Sequence, residues 1–264
     1  MNNIFNEIAT VISNECIAEN IYEAYLHSPN ISKHSSPGQF INILPSENWA
    51  NVMRRPMSIA SQGNDEISII YKIFGEGTLQ MSKWKKGYNV DLIGPLGNTW
   101  SGFKSKFPIL IGGGVGIAPI LNLHNHLKNT NIDHVLIMGA RNKNEHFLEG
   151  SVKNKIFITT DDGSAGIKGR ITNALNKFDF NAEKSKIFSC GPPLMMEAIR
   201  KYSIENNIEC DLALERLMAC GFGICQGCTV EKVQNENSKS SYRSKFALAC
   251  MDGPIFSAKE IMKC

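Results

Sequence analysis

Cys220, Cys225, Cys228 and Cys250 are the residues whose type and spacing most restrict the chemistry of this chain. Three lie in the run Ala219-Cys220-Gly221-Phe222-Gly223-Ile224-Cys225-Gln226-Gly227-Cys228, and the fourth follows after 21 intervening residues. The C-x4-C-x2-C…C spacing is that of a plant-type [2Fe–2S] site, in which four thiolates hold two irons and two sulfides. Such a cluster carries net negative charge, so backbone N–H groups must point at its sulfurs. Gly221, Gly223 and Gly227 let a loop wrap it closely and reach left-handed φ at little cost. Zinc is the competing ion. Zinc ribbons pair two short knuckles, whereas here three candidate ligands share one glycine-rich loop and the fourth stands apart.

A second constellation points to a dinucleotide. Ile111-Gly112-Gly113-Gly114-Val115-Gly116-Ile117-Ala118-Pro119 sits between an apolar strand-like run and a helical run. That order puts backbone N–H groups and a helix N-terminus where a pyrophosphate binds. A glycine-rich turn alone is equally a tight strand-to-helix connection. A later run, Ser189-Cys190-Gly191-Pro192-Pro193, ends another strand of the same region, where open α/β sheets bind ligands. Asp161, in Thr159-Thr160-Asp161-Asp162-Gly163-Ser164, follows a third strand. A carboxylate there accepts a ribose 2′-hydroxyl and repels a 2′-phosphate, which favours NAD over NADP. Arg141, ending the preceding strand, is either a phosphate ligand or a solvated surface arginine.

The N-terminal region offers a third set. Arg54-Arg55-Pro56-Met57-Ser58-Ile59 presents a forked cation, a fixed turn and a hydroxyl; Ile70-Tyr71-Lys72 adds an aromatic face and a cation. Gly75-Glu76-Gly77-Thr78 supplies a glycine-threonine turn suited to phosphate oxygens. Taken singly, each is an ordinary strand or turn. Redox bookkeeping supplies an independent argument. A nicotinamide exchanges two electrons at once and an iron–sulfur cluster takes one, so a chain with both sites needs a flavin between them.

The elements that must position these residues fall into three segments: an α+β multidomain chain. Residues 1–103 are β-rich. Runs with strand character at Thr10–Ile17, Ile21–Leu26, Gln39–Leu44, Ile67–Phe74 and Asn89–Ile93 are punctuated by Pro37-Gly38 and Gly94-Pro95, which predicts a small antiparallel β-barrel. Residues 104–214 alternate apolar strands (Pro108–Ile111, His134–Met138, Ile156–Thr159, Lys186–Ser189) with helices (Ala118–Lys128, Leu194–Asn206). That alternation predicts a doubly wound parallel α/β domain. Residues 215–264 carry the cysteine loop and a hairpin, Thr229–Val233 with Lys245–Cys250, joined by the polar Gln234–Ser241 tip.

Composition bounds the function. The chain has 264 residues, 42% of them hydrophobic and 20% charged, and a net charge of +3. These values fit a globular protein of two or three domains and are too mildly basic for a nucleic-acid partner. No apolar run is as long as a membrane span, and the first residues lack a signal-peptide layout. Cys16, Cys190, Cys210 and Cys264 are scattered singly, which fits a reducing, cytoplasmic setting. No constellation for acid–base chemistry on a substrate stands out. His124, His126, His134 and His146 read as surface or structural, and Glu215 with Arg216 as a structural salt bridge.

The ordered set Arg-Pro-x-Ser, Gly-x-Gly-Thr, Gly-Pro-Leu-Gly, Gly-Gly-Gly-x-Gly-x-Ala-Pro and Cys-Gly-Pro resembles the ferredoxin–NADP reductase superfamily. With Cys-Gly-x-Gly-x-Cys-x-Gly-Cys and Cys250-Met251-Asp252-Gly253-Pro254-Ile255-Phe256, the chain is similar over its whole length to the electron-transfer subunits of class B, NAD-dependent dihydroorotate dehydrogenases. The resemblance implies FAD contacts at Arg55, Pro56, Met57, Ser58, Ile70, Tyr71, Lys72, Gly77 and Thr78. It implies cluster ligands at Cys220, Cys225, Cys228 and Cys250, while the two glycine turns and the Asp161 turn read above place nicotinamide dinucleotide contacts at Gly112, Gly113, Gly114, Gly116, Asp161, Cys190, Gly191 and Pro192. It further implies an FMN-containing catalytic subunit as partner, in a heterotetramer of two plus two chains. Electrons would pass from that subunit's oxidation of dihydroorotate, in pyrimidine biosynthesis, through [2Fe–2S] and FAD to NAD+. The family pattern has a shorter Cys228–Cys250 hairpin, the extra length here being expected at the Gln234–Ser241 tip. Two other readings stay open: a related subunit serving a hydrogenase, sulfide dehydrogenase or ferredoxin partner, and a zinc-binding interaction module without enzymatic activity.

Overall fold

A computed structural model describes residues 3–46, 53–234 and 241–264. The N-terminal segment is a closed barrel. Its strands are β1 (Phe5–Ala18), β2 (Ile21–His27), β3 (Phe40–Ile43), β4 (Arg55–Gly63), β5 (Glu66–Lys72) and β6 (Asn89–Leu96), in the order β1-β2-β5-β4-β3-β6. Closure is completed by β6 pairing with β1, Phe5 opposite Gly94, which leaves no open strand edge. Alternate residues fill it: Ile41 and Ile43 of β3, Ile67, Ile69 and Tyr71 of β5, Val90 and Leu92 of β6 share one buried cluster. Two short helices, α1 (Pro29–His34) and α2 (Glu76–Met81), fill connections around it.

Two strand expectations need correction. β4 is a full nine-residue strand, although its Pro56 and polar residues argue against one. The proline is tolerated because β4 meets β5 only from Ile59 onward, so no β5 ladder bond needs an N–H at Pro56. Gly94-Pro95 lies inside β6 rather than ending it. A Cβ on Gly94 would come within 2.7 Å of Ile41, so glycine there permits close strand approach. The described residues of the polar hairpin tip are Gln234 and Ser241; residues 235–240 lie outside the described residues.

The second layer is a seven-stranded sheet in the order β10-β9-β8-β7-β11-β12-β15. Its parallel members are β7 (Phe107–Gly113), β8 (Val135–Ala140), β9 (Ile156–Thr160), β10 (Ile167–Lys168), β11 (Ser185–Cys190) and β12 (Glu209–Ala213). Both faces of β7 are buried, which its unbroken apolar run requires. Leu110 packs with α3 (Ile117–Asn129). Ile109 and Ile111 pack with α4 (Ile171–Leu175) and α5 (Pro193–Glu205) on the other face. Strand order reverses between β7 and β11, and ligands of open α/β sheets bind at such a switch point.

The C-terminal segment forms the predicted hairpin, β13 (Thr229–Glu231) antiparallel to β14 (Phe246–Leu248), with a one-turn helix α6 (Tyr242–Lys245) before β14. The last strand, β15 (Ile255–Ser257), adds antiparallel to β12 at the sheet edge. Asn98, just past the barrel, clamps this segment. Its side-chain amide donates to the carbonyls of Asp252 (3.1 Å) and Ile255 (2.8 Å) and accepts from the Ile255 N–H (3.0 Å).

Candidate functional site

At the switch point, two glycine turns meet. The turn after β7 continues as a 3-10 turn, Gly114–Gly116, into α3, and the turn after β11 is Cys190-Gly191-Pro192. A Cβ on Gly116 would stand 2.5 Å from the Gly191 Cα, and one on Gly113 would stand 3.0 Å from the Pro192 ring. Without side chains the turns leave a shallow cradle at the α3 N-terminus, a fitting seat for a pyrophosphate. Burial pushes the neighbouring Cys190 thiol up to about 12, with Glu215 adding to it, so a neutral thiol lines the cradle. The turn after β9 lies two strands out from β7. Its Asp161 and Asp162 N–H groups donate to the carbonyls of Ala140 (3.2 Å) and Arg141 (3.3 Å), so the turns carrying Asp161 and Arg141 are joined.

On the barrel, β4 presents Arg55, Pro56, Met57 and Ser58. Arg55 folds over the first turn of α2. A Cβ on Gly77 would lie 2.8 Å from the Arg55 Nε, so glycine is what admits the guanidinium. Thr78 Oγ1 accepts the N–H groups of Phe74 (2.9 Å) and Gly75 (3.3 Å), which fixes the turn. A forked cation above a tight glycine-threonine turn suits a flavin nucleotide's phosphates. The third run lies differently from a free ligand set. Tyr71 is buried in the barrel, its hydroxyl donating to Asn14 Oδ1 (2.8 Å). Ile70 is buried beside Ala118 of α3. Lys72 pairs with Glu145 at 2.9 Å across to the α/β layer.

The four candidate cluster cysteines come as two pairs. Sγ atoms of Cys220 and Cys225 are 3.4 Å apart, and those of Cys228 and Cys250 are 3.2 Å apart. Among the described residues no three His, Cys, Asp or Glu side chains converge as on one metal ion. Two pairs suit a dinuclear group with two thiolates per iron better than a single tetrahedral zinc. Gly221 and Gly223 take φ of +81° and +85°, as a loop wrapped round a cluster needs. The backbone N–H groups of Cys225 and Cys250 point at the sulfurs of Cys220 and Cys228, each at 3.4 Å. Burial raises the Cys220 thiol, but donors from Cys225, Phe222 and Ile224 outweigh it and bring it to about 7. Burial and the Cys228 thiol push Cys250 up to about 12, so ionising it requires a positive metal alongside.

Three residues that sequence reasoning passed over join these sites. Asn42 of β3 is fully buried, donates its amide to the Cys220 carbonyl (3.1 Å) and pairs in register with Pro56. Asn122 of α3 donates to the Ile59 carbonyl of β4 (3.1 Å). Glu145 binds both Lys72 and Arg141. The Arg141 guanidinium most of all, against burial and with help from Lys72, holds its carboxyl down to about 2. None of the three had a local sequence signal, since Arg141 and Glu145, though four apart, lie in a bend and a 3-10 turn rather than on an α-helix. Arg141 is thus exposed yet paired. The expected Glu215–Arg216 salt bridge does not form, because Arg216 donates to the backbone carbonyl of Glu215 (2.9 Å). His124 and His134 bond each other (2.8 Å), and His146 bonds the Thr159 carbonyl (2.8 Å), both structural roles.

Comparison with known proteins agrees with this layout. Residues 215–262 match the iron–sulfur cluster binding domain of dihydroorotate dehydrogenase B, and residues 110–201 match an oxidoreductase NAD-binding domain. A relative from Fusobacterium nucleatum, the electron transfer subunit of dihydroorotate dehydrogenase B (NAD+), is 33% identical over 97% of this chain and 98% of its own. The corresponding subunit of Streptococcus mutans is 34% identical over 98% and 99%. Among solved structures, a chain of an NADH-dependent reduced ferredoxin–NADP oxidoreductase superposes with a TM-score of 0.80. It is 28% identical and covers 97% of this chain and 90% of that one. With this identity sustained over nearly its full length, the chain belongs to the electron transfer subunits of NAD+-dependent dihydroorotate dehydrogenase B.

Proposed function

We propose that this chain carries electrons from dihydroorotate, oxidised on an FMN-containing catalytic partner, by way of a [2Fe–2S] cluster and FAD to NAD+. One observation carries the reading: the strand with the flavin motif is wedged between the other two sites. β4 is tied to the nicotinamide-side helix by Asn122, and its neighbour β3 is tied to the cysteine loop by Asn42. When bound, the flavin supplies the change between two-electron and one-electron exchange that such a chain of sites needs.

The residues then have separate tasks. Cys220, Cys225, Cys228 and Cys250 would ligate the cluster. Arg55, Gly77 and Thr78 would hold FAD phosphates, with Pro56, Met57 and Ser58 lining the outward strand and Ile70, Tyr71 and Lys72 supporting it. Gly112, Gly113, Gly114, Gly116, Gly191 and Pro192 would shape the nicotinamide dinucleotide seat beside Cys190, and Asp161 would receive the adenosine ribose. The segments 1–103, 104–214 and 215–264 serve as flavin, nicotinamide and cluster domains of one cytoplasmic assembly of two such chains with two catalytic chains. Among the described residues no helix is long and apolar enough to cross a membrane.

The test is reconstitution. The isolated chain should oxidise NADH with an artificial acceptor yet leave dihydroorotate unchanged, and adding the FMN-containing subunit should create NAD-linked dihydroorotate oxidation. Turnover of dihydroorotate by this chain alone would contradict the reading. Coupling instead to a ferredoxin or hydrogenase partner would reassign the subunit.

A further inference from the structure

Arg141 stands at the carboxyl end of β8, in the turn bonded to the one that carries Asp161. A second link, from the Lys143 N–H to Ser164 Oγ (2.8 Å), holds the turns together. The Arg141 side chain is 72% exposed. An arginine so placed is a forked cation in the turn bonded to that of an adenosine ribose seated at Asp161, and a forked cation is what a ribose 2′-phosphate would take.

The fork is already engaged. Arg141 Nε donates to both Glu145 oxygens, at 3.1 and 3.2 Å, and Nη2 donates to Oε1. Glu145 cannot follow the arginine outward. It is 6% exposed and is held from the barrel side by Lys72 Nζ at 2.9 Å. Leaving this carboxylate buried with one cation fewer would be costly, so a phosphate arriving at Arg141 has to compete with Glu145. Asp161 and Asp162 stand in the adjoining turn and add repulsion of their own.

We propose that Glu145 is a specificity-determining positioning residue: by holding Arg141 against the barrel-anchored Lys72, it withholds that cation from a 2′-phosphate and keeps the site selective for NAD over NADP. This rests on the reading of the Asp161 turn as the adenosine seat.

The experiment measures KM and kcat for NADH and NADPH, with an artificial acceptor, in the full chain carrying its cofactors. Glu145→Gln should lower the KM for NADPH by about tenfold, the scale of one charge-assisted contact to phosphate. The kcat should move little, and the gain should disappear in Glu145→Gln/Arg141→Ala. A merely structural role would shift both cofactors together and would not depend on Arg141. An unchanged NADPH to NADH preference in Glu145→Gln, or a gain that survives loss of Arg141, overturns the proposal. If Glu145→Gln does not fold, Glu145→Asp keeps the charge for Lys72 on a shorter arm and should show a smaller gain in the same direction, no gain counting against the proposal. Asp161→Asn separates the two layers of the argument. If it leaves both KM values unchanged, the adenosine seat is wrong; if it moves them while Glu145→Gln is inert, only the role of Glu145 fails.

Discussion

Asn42 shows how a single side chain can join two sites that the sequence keeps far apart. Its amide reaches Cys220 across a separation of 178 residues, and a Cβ on Gly221 would stand 2.7 Å from its Nδ2. Nothing local marks it, because a polar residue in Phe40-Ile41-Asn42-Ile43 reads as an outward strand position. The cysteines are the opposite case. Their function depends on residue type and spacing, both visible along the chain, and the structure gathers them into pairs. Cys190 tests that assignment from within the same protein, being a half-buried thiol beside the two glycine turns and outside the pairs. Cys225→Ser should lose most of its iron and its visible [2Fe–2S] absorption, since a hard alkoxide replaces a soft thiolate poorly. Cys190→Ser should keep both. Measured iron per chain falling equally in the two variants would mean the ligands are misassigned.

Elements were legible where one periodicity dominated. The apolar runs of β7, β8 and β11 are buried on both faces and could hardly be anything else, and α3 and α5 follow them within a residue or two of expectation. β4 was not legible, because its strand character comes from neighbours on both sides rather than from its own residues. The meeting of the two glycine turns was half legible: each turn could be read, but not that they touch. Gly116 makes the contact testable. Its backbone is ordinary, φ −63°, so alanine costs nothing in conformation, yet the new Cβ would meet the Gly191 Cα at 2.5 Å and N at 2.6 Å. Gly116→Ala should therefore destabilise by roughly 1–3 kcal/mol, the usual cost of overpacking. By splaying the turns it should also raise the KM for NADH severalfold. Gly114→Ala meets open space and carries only the strain of φ +52°, about 1 kcal/mol. Thermal unfolding and NADH kinetics of the pair decide the matter, and an unaltered KM in Gly116→Ala would detach this contact from nucleotide binding.

At the scale of the whole molecule the three candidate sites lie along the junction of barrel, sheet and cysteine loop, each with exposed residues beside it. Helix α3 is tied to β4 through Asn122, and the cysteine loop is tied to the neighbouring β3 through Asn42. The cysteine loop is rimmed by exposed apolar side chains: Leu217 is 93% exposed, Ile224 76% and Met251 52%. An apolar rim on a surface loop fits a protein interface better than open water. Here it borders the loop that carries the candidate cluster cysteines. Leu217 makes the informative variant, being the most exposed of the three and lying outside the four candidate ligands. Leu217→Asp places an unpaired carboxylate where the partner should bury a leucine, and burying such a charge is strongly unfavourable. The variant should keep its iron, its flavin and its NADH oxidation with an artificial acceptor. Co-purification with the catalytic partner subunit should weaken by at least about tenfold, and NAD-linked dihydroorotate oxidation should fall with it, recovering at high subunit concentration as mass action requires. Full complex formation by Leu217→Asp at wild-type affinity would place the docking face elsewhere, and the electrons would then have to enter by a route that does not pass the exposed rim of the cysteine loop.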